Sequence, residues 1–173
     1  MAIKLNLGCN TRIIKGYTNI DFTAYPGVDI VSDASKLGMF ENNSVDVIRA
    51  SHILEHFRCG DTKRVLDEWN RVLKADGLLY LSVPSWERAI EIYLKAGLQE
   101  WLVYFLYGDQ ADKGSYHYTV YDFTRLRRVV GLSGFKDVSE IPGLPDSLPD
   151  EANSLVSTVD NKPISLNCVC VKE

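Results

Sequence analysis

Apolar and polar positions alternate in short runs over the first fifty residues, then give way to a helical repeat. "IKLNLG" (3–8), "TNIDF" (18–22), "VDIVSD" (28–33) and "SVDVIRAS" (44–51) read as strands. The first of these ends on a glycine, and the next two end on acidic residues. In "TKRVLDEWNRVLKADG", Val65, Leu66, Trp69, Val72 and Leu73 share one helical face, with Asp61 as N-cap and Gly77 as the stop. "LLYLSVP" (78–84) is the next buried strand. Ser85 caps a helix from Trp86 to Ala96, and Gly97 separates it from a second apolar segment, 98–107. A further helix starts at Asp122 or Thr124 and ends at the glycines of "GLSG". "FKDVSEI" (135–141) and "ISLNCVCVKE" (164–173) are the last strands, joined by a loop expected over 142–163 that carries Pro142, Pro145 and Pro149. Strands alternating with helices predict an α/β chain with a mostly parallel sheet.

The chain has 173 residues, a length at which one domain (1–173) buries roughly 70% of its unfolded surface. A net charge of −4 without a Lys/Arg run argues against a nucleic-acid footprint; "TRLRR" (124–128) is the densest basic spot. Cys9, Cys59, Cys168 and Cys170 form no C-x-x-C pair and read as buried free thiols, which fits a reducing cytoplasm. "MAIKLNLGC" lacks the pattern of a signal peptide. "WLVYFLY" (101–107) is too short to span a bilayer and, if exposed, would suit a homodimer contact.

Parallel sheets bind ligands beyond the carboxyl ends of their strands. Gly8-Cys9-Asn10 follows the first predicted strand, Asp21 ends the second, Asp33 the third, "SHILEHF" follows the fourth and "PSW" the fifth. All therefore belong to one edge. Glycine admits close approach of a ligand to the backbone. A carboxylate after the second strand can accept two ribose hydroxyls. A carboxylate after the third can accept from an adenine amino group.

"KLNLGCN", "GYTNIDF", "DIVSDASKLGMFENNSVDVIRASHILEHF" and "EWNRVLKADGLLYLSVP", in that order over residues 3–84, resemble a class I S-adenosylmethionine-dependent methyltransferase. The resemblance implies a Rossmann-like, doubly wound sheet of seven strands in the order 3-2-1-4-5-7-6, the last strand antiparallel. It implies S-adenosylmethionine as cofactor and S-adenosylhomocysteine as product. Asn6, Gly8, Cys9 and Asn10 would then hold the methionine end, Asp21 the ribose, and Asp33 with Ala34 the adenine. Ser51 and His52 would border the cofactor, with Ile53 or Leu54 near the adenine. The cofactor half is 1–84, and 85–173 is the substrate and lid half.

Three departures accompany the resemblance. Asn6 stands where the family usually has an acid, and Asn10 where it has a second glycine. "NTRIIKGYT" is too short for the usual first helix, and "TAYPGV" can only turn before the third strand. The N-terminal helices are trimmed. The missing helix start would otherwise favour a phosphate, so its loss counts against a dinucleotide more than against a sulfonium.

"SHILEHF" also contains His-x-x-Glu-His, a zinc-peptidase signature. That chemistry needs His52 and His56 on one helical face plus a third ligand. The segment instead follows a strand and meets Gly60 four residues after His56, so no metal is expected and Glu55 reads as a solvated or capping residue. For an acceptor that loses a proton, His117 is the first candidate base and His56 the second. Trp86, Tyr116, Tyr118 and Tyr121 combine flat faces with polar tips and are candidates to contact a small-molecule or saccharide-type acceptor. A non-catalytic cofactor-binding subunit remains the alternative. A nucleotide-dependent dehydrogenase is disfavoured, because Gly-x-Gly-x-x-Gly is absent and Asp21 follows Gly8 too closely.

Overall fold

A twisted sheet of seven strands organises the molecule. The computed structural model describes residues 2–111, 114–145, Asp160 and 162–173. Of the loop expected over 142–163, residues 146–159 and 161 lie outside the described residues. The strands are β1 (Lys4–Leu7), β2 (Thr18–Asp21), β3 (Ile30–Val31), β4 (Val45–Ser51), β5 (Leu73–Pro84), β6 (Phe135–Glu140) and β7 (Ser165–Lys172). Their order is β3-β2-β1-β4-β5-β7-β6. β1 to β5 pair in parallel, while β7 runs antiparallel to both neighbours. This is the order expected from the sequence.

Among the described residues the α-helices are α1 (Thr62–Val72), α2 (Trp86–Ala96), α3 (Glu100–Tyr107) and α4 (Phe123–Gly131), in the places where helical segments were expected. Ser85 caps α2 through its hydroxyl, which accepts from Arg88 N, and Asp122 caps α4 by accepting from Arg125 N. Gly97 leaves α2 at φ 70°, as a C-terminal glycine should. α1 departs from expectation at both ends. Asp61 makes no side-chain capping bond, and the helix stops at Val72 rather than at Gly77. The reason is tertiary: Leu73 becomes extended and pairs with Val45, so β5 begins where the helix ends.

Leu5, Leu7, Ile20, Ile48, Leu79 and Leu81 from the sheet pack with Val65, Leu66, Trp69 and Val72 of α1 and Leu126 and Val130 of α4 in one core. A smaller cluster joins Ala89 and Ile92 of α2 to Leu102 and Phe105 of α3. The segment 101–107 thus turns part of its apolar surface inward, leaving Tyr104 and Tyr107 exposed. Cys9, Cys168 and Cys170 are buried as expected, but Cys59 is exposed. No helix among the described residues is long and apolar enough to cross a membrane.

No helix joins β1 to β2 or β2 to β3 among the described residues. Two buried asparagines hold the first of these connections instead. Asn6 Nδ2 donates to the Arg12 carbonyl (2.9 Å) and to Asn19 Oδ1 (3.0 Å). Asn19 Oδ1 also accepts from Ile14 N at 2.9 Å, and Asn19 Nδ2 donates back to the Ile14 carbonyl at 3.2 Å.

Candidate functional site

The carboxyl ends of β1 to β4 open on a cleft of about 1000 Å³. Gly8, Cys9, Asn10, Asp21, Asp33, Ala34, Ser51 and His52 all line it, as do Ile53, His56 and His117. The residues picked out at the first four strand ends therefore converge, whereas Pro84, Ser85 and Trp86 after the fifth do not line the cleft, and neither does Asn6. Asn6 is fully buried behind the cleft, its amide engaged by the β1–β2 connection. Its Oδ1 accepts from Arg49 Nη1 at 3.0 Å, and Arg49 does line the cleft.

The turn after β1 is shaped for close approach. Gly8 has φ 61°, and a Cβ there would lie 2.4 Å from Ile53 Cδ1. Asn10 also adopts a left-handed conformation (φ 48°). Asp21 is only 4% exposed, and both its oxygens organise the loops around it. Oδ2 accepts from Asn10 N at 2.8 Å and Oδ1 from Thr23 N at 2.9 Å. Each carboxylate oxygen keeps a second lone pair, so the group can still accept from a bound hydroxyl. Asp33 Oδ1 accepts from Ser35 N at 2.8 Å. Burial pushes the Asp33 carboxyl upward, but the hydrogen bonds from Ser35 and the charge of Lys36 outweigh it and hold the group below its usual range. The Ala34 carbonyl is fixed by Trp69 Nε1 at 2.8 Å, which ties the third strand end to α1. Burial, with Asp21 nearby, pushes the Cys9 thiol up to about 11, so it borders the cleft as a neutral group.

After β4 the chain reverses sharply. His52 sits at φ 51°, and Leu54–His56 form a single 3-10 turn rather than a helix. His52 and His56 consequently do not share a helical face. His52 Nδ1 is 3.1 Å from Glu55 Oε1, and its Nε2 is 2.9 Å from Ser165 Oγ on β7. Glu55, expected to be solvated or capping, is completely buried. Burial would raise its carboxyl, but the hydrogen bond from His52 and the other nearby histidines keep it below the usual range. Leu54 belongs to the core, whereas Ile53 lines the cleft.

The loop before α4 docks onto this turn. Tyr118 N donates to the Glu55 carbonyl (2.8 Å), and His56 Nδ1 donates to the Tyr116 carbonyl (3.0 Å). His117 Nδ1 donates to the Phe105 carbonyl at 3.1 Å. The His56 and His117 rings meet edge to face with centroids 4.6 Å apart. Burial lowers the His117 imidazole below its ordinary value; Glu55 opposes this and His56 reinforces it.

None of the four side chains expected to contact an acceptor lines the cleft. Trp86 is 40% exposed at the start of α2. Tyr116 and Tyr118 stack on each other at the surface, with Arg58 over the Tyr118 ring. Tyr121 is fully buried, and its hydroxyl lies 3.4 Å from Thr62 Oγ1. The aromatic wall is built instead by Phe22, Tyr25, Phe57, Trp101, Tyr104 and Phe105. Trp101, Tyr104 and Phe105 recur at i, i+3 and i+4, a spacing that marks one face of α3.

Residues 14–81 match the family model described as a methyltransferase domain. No curated protein matches the chain. Among solved structures, a SAM-dependent methyltransferase from Archaeoglobus fulgidus is 15% identical, with a TM-score of 0.62 over 99% of this chain and 86% of that one. A SAM-dependent methyltransferase from Methanosarcina mazei is 19% identical, with a TM-score of 0.61 over 98% and 91% of the two chains. The 1,6-didemethyltoxoflavin-N1-methyltransferase of Burkholderia thailandensis, solved with bound 1,6-didemethyltoxoflavin and S-adenosylhomocysteine, is 14% identical, with a TM-score of 0.61 over 99% and 71% of the two chains. The methyltransferase-domain match takes in β2 to β4 and most of β5, and the full 3-2-1-4-5-7-6 sheet around them gives this chain the fold of the SAM-dependent methyltransferases it resembles.

Proposed function

We propose that the cleft binds S-adenosylmethionine and directs its methyl group to a small-molecule or saccharide-type acceptor. One observation carries this reading: Gly8, Asp21 and Asp33, from three successive strand ends, line a single cavity. Asp21 would receive the ribose hydroxyls, and Asp33 with Ala34 the adenine. The turn Gly8-Cys9-Asn10 would lie against the methionine end, where Arg49 brings a fixed positive charge suited to a carboxylate. When bound, the cofactor supplies an already activated methyl group on a sulfonium. The chain's own task is then to align the acceptor and exclude water. Residues 1–84 would form the cofactor half and 85–173 the acceptor half, in keeping with the contributions of Trp101, Tyr104, Phe105 and His117 to the cleft wall.

A hydroxyl or amine acceptor also sheds a proton. His117 is the first candidate to receive it and His56 the second, since both line the cleft with Nδ1 already engaged by a carbonyl. A cavity of about 1000 Å³ is at the top of the range for small-ligand sites, which leaves room for an acceptor beside the cofactor.

Calorimetric titration with S-adenosylhomocysteine should give one site per chain, and NAD should give none. Transfer of label from methyl-labelled S-adenosylmethionine across a panel of phenols, amines and saccharides then identifies the acceptor class. Binding of neither the cofactor nor its product would refute the reading. Binding without transfer to any acceptor would favour the non-catalytic subunit.

A further inference from the structure

Glu55, His56 and His117 each offer one ligand atom, and these three atoms lie within 4.8 Å of one another. We propose that the three residues form a binding site for a divalent first-row transition-metal ion, of the two-histidine, one-carboxylate kind. The inference deepens the methyl-transfer reading by giving its acceptor side an electrophile; occupancy by the ion does not itself require that reading.

Tautomers supply the first argument. A carbonyl oxygen only accepts, so His56 Nδ1 and His117 Nδ1 must carry the protons that they give to Tyr116 and Phe105. In each neutral ring this leaves Nε2 with a lone pair. Metal-binding histidines are oriented in the same way, by donating the opposite N–H to a carbonyl or carboxylate.

Glu55 supplies the second, independent argument. Its side chain is completely buried, and Oε2 has no hydrogen-bond partner among the described residues. Among those residues its one ion-pair partner is His52, which sits on Oε1. A buried carboxylate is costly unless it is paired or coordinates a cation. The other two ligand atoms within 4.8 Å belong to the His56 and His117 imidazoles, each of which keeps one lone pair. A cation completes this arrangement, whereas a further acceptor would worsen it. His52, itself held by Ser165, fixes the carboxylate as a supporting residue.

The donor set selects the ion. Two imidazoles and a carboxylate suit Zn²⁺, Co²⁺, Mn²⁺ or Fe²⁺, while Mg²⁺ and Ca²⁺ prefer all-oxygen shells. Ligands about 2.0–2.2 Å from such an ion need only small side-chain movements from the separations found here. His56 and His117 line the cleft, so the open coordination positions face the acceptor space. An acceptor oxygen bound there would be positioned by the metal and made more acidic, its proton passing to water, because with both Nε2 lone pairs on the ion neither His56 nor His117 could serve as the base.

The test is titration of chelator-treated full-length protein with Zn²⁺ by calorimetry and with Co²⁺ by visible absorption, in parallel with S-adenosylhomocysteine. One equivalent of Co²⁺ should bind and develop ligand-field bands, and Mg²⁺ should not compete. His56→Ala and His117→Ala should each weaken uptake by at least about 100-fold, while their circular dichroism remains that of the parent. Because Glu55 is buried and Glu55→Gln risks misfolding, the two histidine variants decide the matter. Normal S-adenosylhomocysteine binding without metal uptake would overturn the metal site and leave the methyl-transfer reading standing. Stoichiometric uptake that survives the double histidine variant would also overturn it, by placing the ion elsewhere. Metal uptake without cofactor binding would support the site and refute the methyl-transfer reading alone.

Discussion

Replacing Asp21 by asparagine tests the cleft at its most constrained point. The native carboxylate accepts from two backbone N–H groups, one on each oxygen, at 2.8 and 2.9 Å. An asparagine has one acceptor oxygen, so its amino group must face either Asn10 N–H or Thr23 N–H. That leaves one N–H unsatisfied at a position only 4% exposed, a cost of about 1–3 kcal/mol. For a chain of this size the midpoint should fall by about 2–12 °C, at about 2–4 °C per kcal/mol. The ribose would in addition lose a charged acceptor worth about 1.5–3 kcal/mol, or about 10- to 150-fold in affinity. Thermal unfolding and calorimetry with S-adenosylhomocysteine measure the two effects separately. Val130→Ala, in the α4 part of the core and outside the cleft, should lower stability without lowering affinity. An Asp21→Asn protein that stays folded and binds the product within twofold of the parent would refute the assignment of Asp21 to the ribose.

Thiol chemistry and acid stability give two further checks. Of the four cysteines only Cys59 is exposed, while burial raises Cys9 to about 11 and Cys168 to about 12. A disulfide reagent should therefore modify one thiol per native chain rapidly, and Cys59→Ser should abolish that phase; rapid labelling of two or more would contradict the packing. The Asp160 carboxyl is lowered to about 2, chiefly by its hydrogen bond with Lys95 and also by Arg88. A depressed carboxyl stabilises the fold above its unfolded value and loses that contribution as pH falls through the folded one. Asp160→Asn should accordingly lower the urea midpoint by a constant amount above about pH 5, the difference shrinking between about pH 4 and 2; a difference that does not change with pH would contradict this.

The strand order and the edge on which the cleft opens were legible because they depend on where hydrophobic runs stop. A run that ends in glycine or aspartate puts that residue at a strand end whatever the packing around it. Boundaries set by pairing were not legible. Gly77 is the stronger local stop signal, yet α1 ends at Val72 because Leu73 pairs with Val45 across the sheet. The aromatic side chains expected to contact an acceptor do not line the cleft. Tyr116, Tyr118 and Tyr121 announce an aromatic loop, but whether a ring faces a cavity, solvent or Thr62 is decided by the docking of 116–118 on the turn after β4. The α3 wall was hidden for a related reason. "WLVYFLY" is apolar on every side, so its sequence does not say which face meets the cleft. Glu55 was misjudged because burial of a carboxylate depends on partners from distant segments, here Ser165 acting through His52, and the His117 loop.

Asn6 shows how a departure from the family pattern can follow from a deletion next to it. With the first helix trimmed, the backbone of residues 10–17 loses the internal bonds a helix would provide, and its polar groups must be satisfied from outside. Asn6 Nδ2 supplies a donor to the Arg12 carbonyl and to Asn19, whose own amide then serves both the N–H and the carbonyl of Ile14. An aspartate at position 6 would be an acceptor only. It would leave the Arg12 carbonyl and Asn19 Oδ1 without that donor. Asn6 Oδ1 meanwhile accepts from Arg49, which reaches the cleft that Asn6 itself does not. The acid at this position and the helix after it are therefore linked: shortening the connection asks for an amide, and the amide moves the polar contact with the cleft from the first strand to Arg49 on the fourth.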